Sequence, residues 1–269
     1  MNRLEETMSS LVASGGKGLL PYVTAGLPNV ATTERILAAL ADAGATAVEL
    51  GIPFSDPIAD GPVIQSSFTR ALDRGVRVAD ILAAVARFRR THQMPILAML
   101  SYSIVHRLGV ERFLARAAEA GVDGLIIPDL SLEEAPPVAE KVAQAGLCMP
   151  MLVSPLSGPD RRRAIAALST GFVYYMSVTG ITGERAELPP ELVENVRDLR
   201  AATGRPVVVG FGISTAEHVR RVCSVADGAI IGSALVRRIM EAEDAGASPD
   251  AIVQTAADAV RDWMTGLRA

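Results

Sequence analysis

The chain has 269 residues, 49% hydrophobic and only 4% aromatic, and a formal net charge of −4. Such a core must be built from Ala, Val, Leu and Ile, which suits parallel strands covered by helices better than an aromatic-rich β-sandwich. Charges of both signs are spread along the chain with no basic run, so no nucleic-acid surface is expected. No apolar run approaches the roughly 20 residues of a membrane span, and the polar N-terminus does not read as a signal peptide, so a cytoplasmic chain is expected.

In chain order, the first element is a helical stretch, NRLEETMSSLVASGG, placed to cover one end of the fold. Short apolar runs then recur at Leu19–Val23, Ala47–Leu50, Pro95–Leu100, Gly124–Asp129, Cys148–Val153, Phe172–Ser177, Pro206–Gly210 and Ala229–Gly232. Most are continuous rather than alternating, as strands covered on both faces are. Amphipathic helical patterns separate them, several ending in a Gly that stops the helix. A last helix, SPDAIVQTAADAVRDWMTGL, closes the ring. Strict strand–helix alternation over eight units predicts a (β/α)8 TIM barrel with an extra N-terminal helix. No linker divides residues 1–269, which read as a single domain.

Barrel sites lie on the loops that follow the strands. After the second strand the chain reads VELGIPFSDPIADGP, with Glu49 inside the strand and Asp56 and Asp60 in a proline-rich loop. A carboxylate pointing outward into apolar helices would be costly, so Glu49 is expected to point inward. Burial there raises its pKa and suits it to acid/base work. The long loop SVTGITGERAELPP after the sixth strand has the composition of a lid. GFGIS after the seventh strand and GSALV after the eighth offer Gly210, Gly212, Gly232 and Ser233 as a phosphate cradle. The four tyrosines, Tyr22, Tyr102, Tyr174 and Tyr175, fall in or just after strands, as core filling or as walls for a flat aromatic ligand. The two lysines, Lys17 and Lys141, lie outside the strands, which argues against Schiff-base chemistry. His92, His106 and His218 are scattered, and Cys148 and Cys223 sit apart in apolar contexts, so buried reduced thiols and no metal site are expected.

VELGIPFSDPIADGPVIQ closely resembles the signature of the tryptophan synthase α subunit family. PYVTAGLP, GLIIPDL, TGITGER, VVVGFGIS and GAIIGSALV extend the resemblance, in family order, over nearly the whole chain. The resemblance implies a lyase of tryptophan biosynthesis that cleaves indole-3-glycerol phosphate to indole and glyceraldehyde 3-phosphate. It implies no cofactor or metal in this chain. Pyridoxal phosphate is expected only in a partner β subunit, reached in an αββα heterotetramer that speeds an otherwise slow α subunit. Carried over by position, Glu49 is the acid/base catalyst and Asp60 the carboxylate on the indole N–H. Tyr174 stands beside the reacting centre. Tyr22, Leu100, Tyr102, Ile126 and Val153 match the indole pocket, and Thr182 the lid. Gly183, Phe211, Gly212, Gly232 and Ser233 match the phosphate site, while Asp56, Pro57 and Asp129 match the partner interface.

The sequence departs from the family at SYSIVHRLG, Ser101 to Gly109, where Ile104 stands in place of an asparagine and the loop looks about one residue short. In the family that loop faces the β subunit. Two other readings therefore stand beside the coupled enzyme: a stand-alone lyase releasing free indole, and a non-catalytic activator of the β subunit. The paired acids argue against the last, because a site that does no chemistry has no need of them.

Overall fold

The computed structural model describes residues 2–57, 60–177, 190–210 and 212–267. Its strands are β1 (Gly18–Thr24), β2 (Val48–Gly51), β3 (Ile96–Met99), β4 (Gly124–Ile126), β5 (Leu152–Val153), β6 (Val173–Met176), β7 (Val207–Gly210) and β8 (Gly228–Ile231). All pair in parallel, in the spatial order β4-β3-β2-β1-β8-β7-β6-β5. The ring closes between β4 and β5 through a bridge of Gly124 with Cys148, where the Leu125 N–H donates to the Cys148 carbonyl at 2.8 Å. Gly124 suits that seam, since a Cβ there would stand 2.9 Å from the Cys148 oxygen. Helices surround the strands, and the expected (β/α)8 barrel is the observed architecture. None of the described helices is long and apolar enough to cross a membrane.

Two strands are shorter than the apolar runs suggested. β5 is a ladder of only Leu152–Val153 rather than Cys148–Val153, because Pro150 has no N–H to donate. β4 stops at Ile126 rather than Asp129, ahead of Pro128. The N-terminal helix, Arg3–Ala13, is as expected. Leu4 and Met8 are fully buried, and Asn2 and Glu5 form a capping box. The Asn2 amide also donates to the carbonyls of Asp123 and Gly146, at 2.8 Å each, which fixes the helix across the N-terminal end of the barrel.

That end is built from one device used four times. The side chain shortly before each even-numbered strand accepts a backbone N–H at the start of the preceding strand or, at β5, three residues ahead of it. Leu19 donates to Thr46 Oγ1 (3.1 Å), Ile96 to Asp123 Oδ2 (2.7 Å), Met149 to Thr170 Oγ1 (2.6 Å) and Val207 to Asp227 Oδ2 (2.9 Å). The backbone answers in each pair: the N–H of Thr46, Asp123, Thr170 and Asp227 donates to the carbonyl of Leu19, Ile96, Met149 and Val207. The order Thr, Asp, Thr, Asp repeats once per half of the barrel. Buried strand termini would otherwise leave these amides unpaired. Cations compensate the two acids. Arg89 reaches Asp123 at 2.5 Å and Arg3 joins it; Arg200 meets Asp227 at 2.9 Å and Lys17 lies 3.8 Å away.

Candidate active site

The opposite end of the barrel holds the candidate site. Glu49 in β2 lies in register with Tyr22 of β1 and Leu97 of β3, while Tyr174 of β6 lies in register with Leu152 and Val208. Strand side chains alternate between faces. This parity turns Glu49 and Tyr174 inward, where with Asp60 they line a cavity of about 270 Å³. Its apolar walls are Met99, Ile127, Leu130, Met151, Leu152 and Met176. Ser131, Ser154 and Arg161 stand at its margin, and Arg161 is held by Glu133 through two hydrogen bonds of 2.6 and 3.2 Å.

Glu49 is 2% exposed, and its Oε1 has no hydrogen-bond partner; the same holds for Asp60 Oδ2. Burial, reinforced by the neighbouring charge of Asp60, pushes Glu49 up to about 8. Burial alone pushes Asp60 up to about 6. At neutral pH the site therefore holds one protonated and one ionised carboxyl group. Two buried acids with separated pKa values can act as acid and as counter-charge. Burial also holds the phenols of Tyr22 and Tyr174 well above their ordinary value. Among the described residues no three His, Cys, Asp or Glu side chains cluster closely enough to hold a metal ion.

Met99 and Leu152 line the cavity, and the expected Leu100 and Val153, their next neighbours in sequence, are fully buried. Ile126 is buried at the end of β4 in register with Met99, and the next residue, Ile127, also lines the cavity. Tyr102 opens the helix Tyr102–Leu108, and its ring lies 6.1 Å from that of His106. Thr182, Gly183 and Phe211 lie outside the described residues. Gly212 has φ +75°, a conformation that favours glycine. Gly232 and Ser233 open the helix Ser233–Asp244, whose first turn has no side-chain cap.

Asp56 is exposed and accepts from the Ser55 hydroxyl at 2.6 Å. Pro57 has its carbonyl 3.1 Å from the Asp60 N–H, and Gln65 donates to the carbonyls of Pro57 (3.2 Å) and Asp60 (2.8 Å). Gln65 thus ties the loop to the helix Pro62–Asp73, a role the sequence reading missed. Only its spacing after ADGP hinted at it. Asp129 accepts from the Ser101 hydroxyl (2.6 Å) and the Tyr102 N–H (2.9 Å), anchoring the helix after β3.

The family model for the tryptophan synthase alpha chain matches residues 8–263. A tryptophan synthase alpha chain from Rhodopirellula baltica is 44% identical over 275 residues, covering 100% of this chain and 98% of the relative. The chain belongs to the tryptophan synthase alpha chain family. An alpha chain from Thermosynechococcus vestitus is 46% identical over 83% of this chain and 84% of its own. Among solved structures, the alpha subunit from Legionella pneumophila superposes with TM-score 0.91 at 36% identity, covering 100% of this chain and 99% of its own. A chain of the tryptophan synthase α2β2 complex from Pyrococcus furiosus superposes with TM-score 0.85 at 37% identity, covering 93% of this chain and 98% of its own. Within this family the altered stretch after β3 keeps a physical logic. Ile104 is 6% exposed and joins the hydrophobic core from a helix whose N-terminus Ser101 caps.

Proposed function

We propose that the barrel works as the α subunit of a tryptophan synthase and cleaves indole-3-glycerol phosphate to indole and glyceraldehyde 3-phosphate by acid/base chemistry alone. The observation that carries the reading is the buried pair, Glu49 near 8 and Asp60 near 6. Indole is a poor leaving group until its C3 carbon is protonated. Protonated Glu49 delivers that proton, and ionised Asp60 holds the ring N–H and balances the positive charge that appears on the indolenine. The bond between C3 and the glycerol carbon then breaks, its electron pair returning to the ring. The adjacent hydroxyl becomes the aldehyde and gives its proton to Glu49, which ends as it began. Tyr174 walls the reacting centre. The turns at Gly212 and at Gly232 and Ser233 supply backbone amides for the phosphate. No further group is needed for these proton transfers, so pyridoxal phosphate belongs to the β subunit.

The partner reading is supported by a second cavity, of about 580 Å³, beside Asp56 and Pro57. Ile52, Phe54, Ile104 and Leu108 line it, and at its rim Arg77, Arg107 and Arg116 carry no ion pair among the described residues. Apolar surface flanked by unpaired cations suits an acidic partner face. The experiment is turnover of the purified chain with and without its cognate β subunit. A large rise in cleavage rate on adding β is expected; an unchanged rate would favour a stand-alone lyase. Arg107→Glu is expected to weaken that activation severalfold in a titration with β and to leave the isolated chain's own rate unchanged. The one-domain reading of residues 1–269 and a cytoplasmic setting complete the proposal. Buried Cys148 and Cys223, each pushed up to about 12 by burial, suit a reducing compartment.

A further inference from the structure

Three buried side-chain oxygen or nitrogen atoms have no hydrogen-bond partner among the described residues: Glu49 Oε1, Asp60 Oδ2 and the hydroxyl of Tyr22. The acids have roles in the reaction just described, and the phenol has none. Tyr22 is 3% exposed. Thr24, on the same strand, bears on the phenol as a hydrogen-bonding neighbour, but its hydroxyl lies 2.7 Å from that of Ser67, and no hydrogen bond of good geometry reaches the Tyr22 hydroxyl. A buried donor left unpaired in the free protein is costly and is rare unless something binds to it.

Its surroundings say what that is. The Tyr22 side chain starts beside Gly232, where a Cβ would lie 3.7 Å from the Tyr22 Cβ. It ends against Gly51, where an added Cβ would stand 2.0 Å from the Tyr22 hydroxyl. The ring therefore runs from the turn assigned to phosphate to the end of the strand that carries Glu49. Only glycine at position 51 leaves room for the hydroxyl. A chain joining a phosphate to the reacting carbon must cross the same span.

The substrate, on the proposed function, brings a ring N–H, the reacting hydroxyl, a second hydroxyl on the next carbon, and the phosphate. Asp60 takes the N–H, Glu49 the reacting hydroxyl, and the late turns the phosphate. We propose that Tyr22 is a further substrate-positioning and specificity residue, its hydroxyl donating a hydrogen bond to the second glycerol hydroxyl. The inference rests on the functional reading above. It turns a residue expected only as a wall of the indole pocket into one that selects a hydroxylated chain.

The test compares wild type and Tyr22→Phe in the assembled complex with β, following the aldehyde product. Two substrates are used: indole-3-glycerol phosphate and its analogue lacking only the second hydroxyl. Phe keeps the ring and its packing. On the full substrate, Tyr22→Phe is expected to lower kcat/KM about tenfold, the scale of one lost hydrogen bond in a buried site. On the deoxy analogue the two proteins should agree within about twofold, since neither can then make the bond. Equal losses on both substrates, or no loss on either, would overturn this inference and leave the functional reading standing. A wild-type complex that cleaves neither substrate would overturn the functional reading and this inference with it.

Discussion

Glu49→Gln is expected to lower indole-3-glycerol phosphate cleavage by about 10³-fold while the protein still binds its β subunit. Gln fills the same space but can neither deliver a proton to the ring nor recover one from the glycerol hydroxyl. Near-normal turnover in this variant would end the assigned role. The same group predicts the pH profile. Activity needs Asp60 ionised and Glu49 protonated, so it should rise through about pH 6 and fall through about pH 8. Because the charges of the two acids interact, the limbs belong to the pair. Stability gives an independent check. Burial raises Glu49 from 4.5 to about 8, so between those values the folded state holds a proton that the unfolded chain has released. The Glu49 contribution to wild-type stability therefore falls as pH rises through that window, by up to about 5 kcal/mol, and is flat above it. Gln carries no such penalty. The melting temperature of Glu49→Gln should exceed that of wild type at pH 9 and approach it near pH 5. A constant difference across that range would mean that Glu49 is not buried as a proton-holding acid.

The barrel was legible because its signals are local. Continuous apolar strands, amphipathic helices and glycine stops each report their own segment, and the boundaries that slipped, at β4 and β5, slipped at Pro128 and Pro150. Glu49 and Asp60 were legible for a chemical reason: an acid inside an apolar strand has few purposes. The wall of the cavity was less legible. Leu100 and Met99 are both apolar and adjacent, and nothing in the sequence singles out Met99 for the wall. The least legible features were the ones that join distant segments. Asp123 precedes β4 in VDG and Asp227 precedes β8 in ADG, each resembling an ordinary turn residue. Their partners, the first amides of β3 and β7, lie 27 and 20 positions away along the chain. Likewise the Tyr22 hydroxyl has meaning only once Gly51 and Gly232 are seen on either side of it.

Asp123→Ala is expected to cost about 3–5 kcal/mol of stability. Asp123 is 2% exposed and meets the Arg89 side chain, itself 9% exposed, at 2.5 Å. Burial pulls both toward neutrality: it raises Asp123 and lowers Arg89 to about 10. Removing the acid strands the buried guanidinium and also leaves the Ile96 N–H unpaired. Asp227→Ala should cost less, because its cations, Arg200 and Lys17, are 42% and 27% exposed and can turn to water. Two further variants separate the terms. Asp123→Asn keeps an acceptor for Ile96 but loses the charge. Asp123→Leu with Arg89→Met removes the buried pair but leaves the Ile96 amide and the Gly121 and Met94 carbonyls, which Arg89 serves, without partners, so it should recover most of the electrostatic loss and retain a penalty of about 1–3 kcal/mol. Denaturant unfolding of the set measures each value. Turnover at temperatures where each variant stays folded should match wild type, because this clamp sits at the opposite end of the strands from Glu49 and Asp60. A double variant no more stable than Asp123→Ala would show that the hydrogen bonds to these backbone groups, and not the buried charge, dominate the clamp.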